Sequence, residues 1–361
     1  MSKKEKGSLL SREIIKKKIS DEEIGLLCRK YSVILSAGVR AEKCTELIKK
    51  QTGDKELRRI LEAAYRDLKT GTPLSSSFEK NAAGKLSPVF YETIKAGESS
   101  GELVGIFDSL ADYFSDRAGM RKKIKGALIY PVFVLCVAII VMIVIMTYVM
   151  PEMTSIFKSM GGELPMITKM LIGVSDFFSE NVAVVIALPV ALALGAVICL
   201  KNEKGRLFFD RKKLRAPLIG KINESNFAAT FSRVLALLCM AGIPLNKGLL
   251  VTADAIDNAY LKEKIRMISR AVTEGKSPSY VMKKVPEFPH ALTEMTEIGY
   301  ESGSLPQVLD GTGKYYSATA RQLAENLVSK LEPAMMIFIA ALAGFIVFAV
   351  YIPMFDMYGL I

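Results

Sequence analysis

Residues 97–151 read GESSGELVGIFDSLADYFSDRAGMRKKIKGALIYPVFVLCVAIIVMIVIMTYVMP. Three signals follow one another in this stretch. The glycine-flanked opening, Gly97 to Gly101, has the composition of a turn. Leu103, Ile106, Phe107, Leu110 and Phe114 then fall on one face of a helix. A basic cluster (Arg117, Arg121, Lys122, Lys123, Lys125) leads into Gly126–Pro151, which carries no charge and holds fourteen Val, Ile, Leu and Phe residues. As a helix those 26 residues run about 39 Å, enough to cross a hydrocarbon core with some tilt. At about −0.3 to −0.6 kcal/mol each, the fourteen favour insertion by about 4–8 kcal/mol.

The same succession is written again. Gly97 and Ser100-Gly101-Glu102-Leu103 match Gly299 and Ser302-Gly303-Ser304-Leu305 at an offset of 202, and so do Pro131 with Pro333 and Pro151 with Pro353. Further upstream the offset is 204, where Arg29, Ala37-Gly38-Val39 and Gly71 recur as Arg233, Ala241-Gly242-Ile243 and Gly275. A two-residue slip therefore lies between Gly71 and Gly97. Duplication of one unit explains the pattern.

Each polar half reads as a bundle of short helices. Ile24, Leu27, Cys28, Tyr31 and Leu35 form one apolar stripe, with Asp21 expected as its N-cap. Leu57, Ile60, Leu61, Ala64 and Leu68 form another; Leu261, Ile265, Ile268 and Val272 serve the second copy. Breaks are expected at Gly38, Gly53-Asp54, Gly71-Thr72-Pro73, Gly84 and Gly97–Gly101. Gly38 and Gly242 are read as helix ends with φ > 0, and Gly101 and Gly303 as tight turns. No alternating stretch marks a sheet.

Two more uncharged runs, Asn181–Leu200 and Pro333–Phe355, bring the expected membrane crossings to three. Charge orients them. Residues 1–125 hold 26 basic and 18 acidic residues, 152–180 hold 2 and 4, and 201–332 hold 20 and 14. Eight basic residues crowd between Lys201 and Lys221. The positive-inside rule places 1–125 and 201–332 in the cytoplasm and the 152–180 loop and C-terminus outside. The expected class is an all-α membrane protein with two duplicated cytoplasmic helical-bundle domains and three transmembrane helices. Its parts are a basic tail (1–20), not a signal peptide; a first domain (21–125); a span (126–151); an external loop (152–180) with an amphipathic helix over 165–178; a span (181–200); a second domain (201–332, core from about 225); a span (333–355); and an external tail (356–361).

Chemistry has little to work with. The chain of 361 residues holds one His and five Cys, with no CxxC. Gly275-Lys276-Ser277 lacks the upstream glycine of a P-loop, since position 270 is Arg, and Gly311-Thr312-Gly313-Lys314 lacks the hydroxyl after Lys. Both read as turns. His290 reads as a loop or packing residue, and no cofactor or metal is expected. Nucleic-acid binding would want a basic stripe interleaved with aromatics; the net charge of +11 suits anionic lipid headgroups instead. Uncharged spans leave a pump or transporter without ionisable groups. Ala187, Ala191 and Gly195, with Ala340 and Gly344, offer small-residue ridges for helix packing.

Ala37-Gly38-Val39, Gly97-Glu98-Ser99-Ser100-Gly101-Glu102-Leu103, Tyr130-Pro131 and Pro151 in the first copy carry a resemblance, as do Ala241-Gly242-Ile243-Pro244, Glu301-Ser302-Gly303-Ser304-Leu305 and Leu331-Glu332-Pro333 in the second. From about Ile24 onward the chain resembles the inner-membrane platform proteins of type IV pili and type II secretion systems, the PilC/GspF family. One departure stands out: Tyr300 occupies the place of Glu98. The resemblance implies a non-enzymatic role in the bacterial inner membrane. Its implied partners are a hexameric cytoplasmic assembly ATPase, pilins or pseudopilins, other inner-membrane assembly proteins, membrane lipids and further copies of the chain. Pilus assembly is preferred over secretion or competence, with a transporter as the remote alternative. Gly38, Gly97, Glu98, Gly101, Leu103, Pro131, Pro151, Gly242, Glu301, Gly303, Leu305, Pro333 and Pro353 are the candidate structural and partner-contact residues.

Overall fold

The computed structural model describes residues 18–144 without 83, Tyr148, Ser155, and residues 203–358 without 218. Every element among them is helical: α1 (Asp21–Ser36), α2 (Ala41–Lys50), α3 (Lys55–Lys69), α4 (Leu74–Ala82), α5 (Pro88–Ser100), α6 (Leu103–Val144), α7 (Glu203–Arg215), α8 (Gly220–Met240), α9 (Leu245–Ala255), α10 (Ala259–Thr273), α11 (Pro278–Met282), α12 (His290–Glu301) and α13 (Leu305–Tyr358).

The helix starts repeat the offsets of the sequence. Helices α2, α3 and α4 begin 204 residues before α9, α10 and α11, while α5 and α6 begin 202 before α12 and α13. The slip thus sits around the fourth helix, which spans nine residues in the first copy and five in the second. Caps are copied with it. Asp54 accepts from the Leu57 N–H at 2.7 Å, and its counterpart Asn258 accepts from Leu261 at 3.0 Å. Either oxygen satisfies one orphan donor of a helix start.

Contacts group the described chain into two compact units. The first takes residues through Lys122 together with Asp210–Arg321, so it contains both copies. In the first copy's core, Tyr31 stacks on Phe107 at 4.6 Å and meets Phe78 edge-on, and Phe78 meets Phe90 the same way. Such pairs contribute about 0.5–1.5 kcal/mol beyond their area. The Tyr31 hydroxyl is not stranded there. Thr45 donates to the Ala41 carbonyl at 2.7 Å, which leaves its oxygen free to accept from Tyr31, also at 2.7 Å. The second copy is centred on Phe227, Phe231 and Phe288. Its Val234, Leu237, Leu238, Ala241 and Ala255, however, are buried in the first copy's core. The two sequence domains share a core.

The second unit takes the described residues of Lys123–Phe209 and Gln322–Ile361. In it Lys123 Nζ donates to Glu325 at 3.0 Å, and these are again partners at the 202 offset. Helix α6 runs on past Pro131 as far as Val144, and α13 spans the whole 333–355 stretch, including Pro333 and Pro353. Pro151, the 152–180 loop apart from Ser155, the 181–200 run, most of the basic tail and residues 359–361 lie outside the described residues. Several side chains of the 126–151 and 333–355 runs lie outside them too. Among the described residues no helix is long and apolar enough to cross a membrane.

Three local expectations are corrected. Ser20, not Asp21, caps α1 by accepting from Glu23 N–H at 3.2 Å; Asp21 is the first helical residue and faces Arg121 at 2.8 Å. Gly97 lies inside α5, so the chain breaks only at Gly101. Gly311–Lys314 is helix rather than turn, because Thr312 turns its hydroxyl back to the Val308 carbonyl and Lys314 pairs with Asp310 one turn earlier.

Candidate functional site

The twin hairpin turns are built from the glycines outward. Gly101 ends α5 at φ +76°, and Gly303 sits at φ +69°. A side chain there would clash in the left-handed region. One turn earlier the reason for glycine is different. A Cβ on Gly97 would lie 2.9 Å from Ile106 Cγ1 and 3.3 Å from Leu103 Cδ2, and one on Gly299 would lie 3.0 Å from the Leu305 backbone. These two glycines let the helices of each hairpin cross closely. The structure thus brings Gly97 and Leu103 together, and likewise Gly299 and Leu305. Gly38 and Gly242 adopt φ +78° and +81° just beyond the ends of α1 and α8.

Glu98 has a specific task. Its carboxylate accepts from the Leu74 N–H at 2.5 Å, from the Ser75 N–H at 3.2 Å, and from the Ser75 hydroxyl. It caps the start of α4 from across the bundle and places negative charge at the positive end of that helix. In the second copy Tyr300 takes its place and is exposed, while Pro278 replaces Leu74 at the helix start. Proline has no N–H to satisfy. The acid and one of its three donors have disappeared together, and the hydroxyl of Ser279, the counterpart of Ser75, turns to Ser277 at 2.7 Å instead. Glu301 is exposed at the end of α12.

The seam between the copies is lined with charge that sequence reasoning did not assign. Arg29 on α1 pairs with Asp108 and Asp112, one turn apart on α6. The second copy keeps Asp310 at the first position but has Lys314 at the next, and those two pair with each other at 2.6 Å. Arg233 on α8, the counterpart of Arg29, instead pairs with Asp116 of the first copy's α6. Gly313 makes this possible, since a Cβ there would press on the Arg233 side chain and lie 3.1 Å from its backbone nitrogen. Next to Asp116, Arg117 approaches Asp21 at 3.3 Å and Asp257 of the second copy at 3.8 Å. The signal for this seam was present: residues 227–238 of α8 are apolar or small nearly all round, the mark of a helix covered on both sides.

Helix α7 is fastened by a second cluster. Glu287, with a side chain only 5% exposed, receives Arg211 Nε at 3.3 Å, Arg215 at 3.2 Å and the Tyr260 hydroxyl at 3.1 Å. Burial by itself would raise its pKa; the hydrogen bonds from Tyr260, the backbone and Arg211 outweigh it and hold the carboxyl below its ordinary range. Asp210 adds a cap, accepting from Ala259 N–H at 2.8 Å.

Burial pushes the Cys44 thiol up to about 12 and Cys239 up to about 11, so both stay protonated. His290 is the first residue of α12, exposed rather than packed, with Nδ1 3.1 Å from Glu294. Among the described residues no group of three or more His, Cys, Asp or Glu side chains could hold a metal ion.

Comparison with known proteins agrees with the duplication. The model of the type II secretion system protein F family matches twice, over residues 27–151 and 231–353. The two matches begin 204 residues apart and end 202 apart, as the sequence repeat does. Type IV pilus assembly protein PilC of Thermus thermophilus is 29% identical over 339 residues, 94% of this chain and 83% of that protein. Type IV pilus assembly protein TapC of Aeromonas hydrophila is 30% identical over 95% of this chain and 83% of its own length. Type II secretion system protein F of Pseudomonas aeruginosa is 27% identical over 95% and 84%. With both copies matched, the chain belongs to the type II secretion system protein F family, the PilC/GspF family of its sequence resemblance.

Proposed function

We propose that this chain is the inner-membrane platform of a type IV pilus assembly machine, a non-enzymatic part that couples a hexameric cytoplasmic assembly ATPase to the movement of pilins into a filament. One observation carries the reading: in each copy the helix that starts in the bundle, α6 or α13, continues without a break into an uncharged run. A displacement imposed on the bundle then has a continuous helix along which to reach the run. The shared core and the Arg233–Asp116 pair support motion of the two copies as one body. In this reading the runs 126–151, 181–200 and 333–355 cross the bilayer, the basic segments stay on the cytoplasmic side with the N-terminus, and the C-terminus is external. Other inner-membrane assembly proteins and lipid headgroups complete the surroundings.

The names of the relatives divide between pilus assembly and secretion, so the test must separate the two. Deleting the gene is expected to abolish surface pili and leave secreted proteins at their normal level, with the full chain restoring piliation. Loss of secretion with intact pili would move the chain to the secretion machine. Tags near Ile60, Pro165 and Arg270 test the topology: the first and last are expected in the cytoplasm and the middle one outside. Co-purification of the ATPase from membranes, with crosslinks from 21–120 or 225–330, tests the partner.

A further inference from the structure

Within the first unit the two copies meet through unlike surfaces. The first copy contributes α5, with Asp116 and Arg117 of α6 beside it, and the second contributes α8 and α9. Leu237, Leu238 and Ala241 of α8 and its turn are buried there, with Ile243 and Val251 packed beside them. A head-to-tail contact of this kind uses one surface of each type. Among the described residues, two copies in a chain therefore leave one of each unused: the α5-like surface of α12 and the α8–α9-like surface of α1–α2.

Exposure marks both unused surfaces. Leu237 is 6% exposed, whereas its counterpart Val33 on α1 is 60% exposed. Beside Val33, Ile34 is half-buried where its counterpart Leu238 is fully buried, and Val39 and Leu47 stand, equally half-buried, at the places of Ile243 and Val251. On the other surface, Thr93 of α5 is fully buried, while its counterpart Met295 on α12 is 38% exposed. Half-buried Ala96 corresponds to Ile298, which is 52% exposed. Single exposed apolar side chains are ordinary. These are apolar side chains at the positions the other copy covers. Charge adds a contrast: α12 carries Glu294, Glu297 and Glu301 and neither Lys nor Arg, with Glu294 beside His290 and Glu297 held by Lys283, while half-buried Lys30 of α1, which reaches the Gln51 carbonyl, stands where Val234 stands in the covered copy.

We infer that α12 of one chain docks on α1–α2 of a second copy, repeating between molecules the contact that α5 makes with α8–α9 inside each. Such contacts propagate, and they close into a ring where the rotation between copies permits. This names the faces through which the proposed homo-oligomer forms. It does not depend on which machine the chain serves, since chains that join head to tail but support no pilus would remove the function and leave the docking intact.

Two differently tagged full-length chains co-expressed in membranes, one carrying Val33→Cys and the other Ile298→Cys, test it. Once isolated membranes are treated with diamide, which takes up the two electrons and two protons of thiol coupling, a mixed disulfide-linked dimer is expected, several-fold above the level when either partner is the parent chain with its five native cysteines. Linkage of Val33→Cys to itself, of Ile298→Cys to itself, or no mixed product would overturn the proposal. Both positions are exposed, so the fold does not rest on them. In a second arm, Ile298→Glu or Val33→Lys alone is expected to weaken co-purification of the two tags about tenfold or more, and the two together to recover most of it. Undiminished association in the single variants would equally overturn the head-to-tail contact.

Discussion

Arg29 and Arg233 occupy the same position in two copies of one fold and answer to different acids. In the first copy the arginine holds its own α6 through Asp108 and Asp112; in the second, Lys314 satisfies Asp310, and the arginine turns to Asp116 of the other copy. The same division recurs at the helix starts, where Glu98 serves Leu74 and Ser75, while in the second copy Pro278 has no N–H to satisfy and Ser279 pairs its hydroxyl with Ser277. Duplication set both copies up with equal parts. Their differences lie where one copy has become a surface for the other.

The largest effects test whether the copies are one cooperative body. Phe107→Ala removes a fully buried ring stacked on Tyr31 and is expected to cost about 3–5 kcal/mol; its counterpart Leu309→Ala is expected to cost about 2–5. Both should lower a single thermal transition followed by circular dichroism in detergent. Two transitions, each moved by only one variant, would show that the copies unfold separately and that the shared core couples them weakly.

Glu287 belongs to the second copy alone, where it anchors α7. Glu287→Gln exchanges charge-assisted hydrogen bonds for neutral ones and is expected to cost about 1.5–3 kcal/mol. Its depressed pKa fixes the sign of the pH dependence. The stabilisation is fully present above the ordinary carboxylate range and is lost as pH falls through the folded value. Relative to the intrinsic exchange rate at each pH, the protection of α7 amides should therefore fall on acidification in the parent chain and change little with pH in the Gln variant. An unchanged acid profile would remove Glu287 as the anchor.

Much of the architecture could be read in advance. Conserved offsets between Gly38 and Gly242, or Gly101 and Gly303, expose helix ends because a positive φ is a local demand that few residues meet. Apolar stripes such as Leu57-Ile60-Leu61-Ala64 locate buried faces for the same local reason. What a buried face packs against is not local. Residues 227–238 announce a helix covered all round, yet nothing in them says that α5 supplies the cover. Asp116 and Glu98 likewise look like ordinary surface acids until Arg233 and Leu74 are placed beside them.

The turns come next in size. Gly101→Ala and Gly303→Ala should each cost about 1–2 kcal/mol, with Asn milder. Bulky replacements at either position are expected to impair filament assembly while membrane insertion stays intact; normal assembly in both would take the turns out of the mechanism. Glu98→Ala should cost about 1 kcal/mol through loss of the α4 cap. Tyr300→Ala should stay within about 0.5 kcal/mol, as surface changes do. Equal costs would contradict the exchange of Glu98 and Leu74 for Tyr300 and Pro278.

A small expected effect sees the seam most directly. Asp116 is 53% exposed and Arg233 12% exposed, so water and salt reach the acid while the guanidinium stem stays packed against Gly313. Asp116→Asn should therefore cost less than about 1 kcal/mol at low ionic strength, and less still at 1 M salt, where the screening length falls to about 3 Å. Asp108→Asn in the first copy leaves Arg29 a second acid, Asp112, and should cost less again. The contrast sharpens in the double variant Lys314→Ala with Asp116→Asn. Freed of Lys314, Asp310 becomes the natural partner for Arg233, as Asp108 is for Arg29, and part of the loss should return. If Asp310 cannot recapture the arginine, the packing of α8 across the seam, rather than competition from Lys314, dictates where Arg233 points.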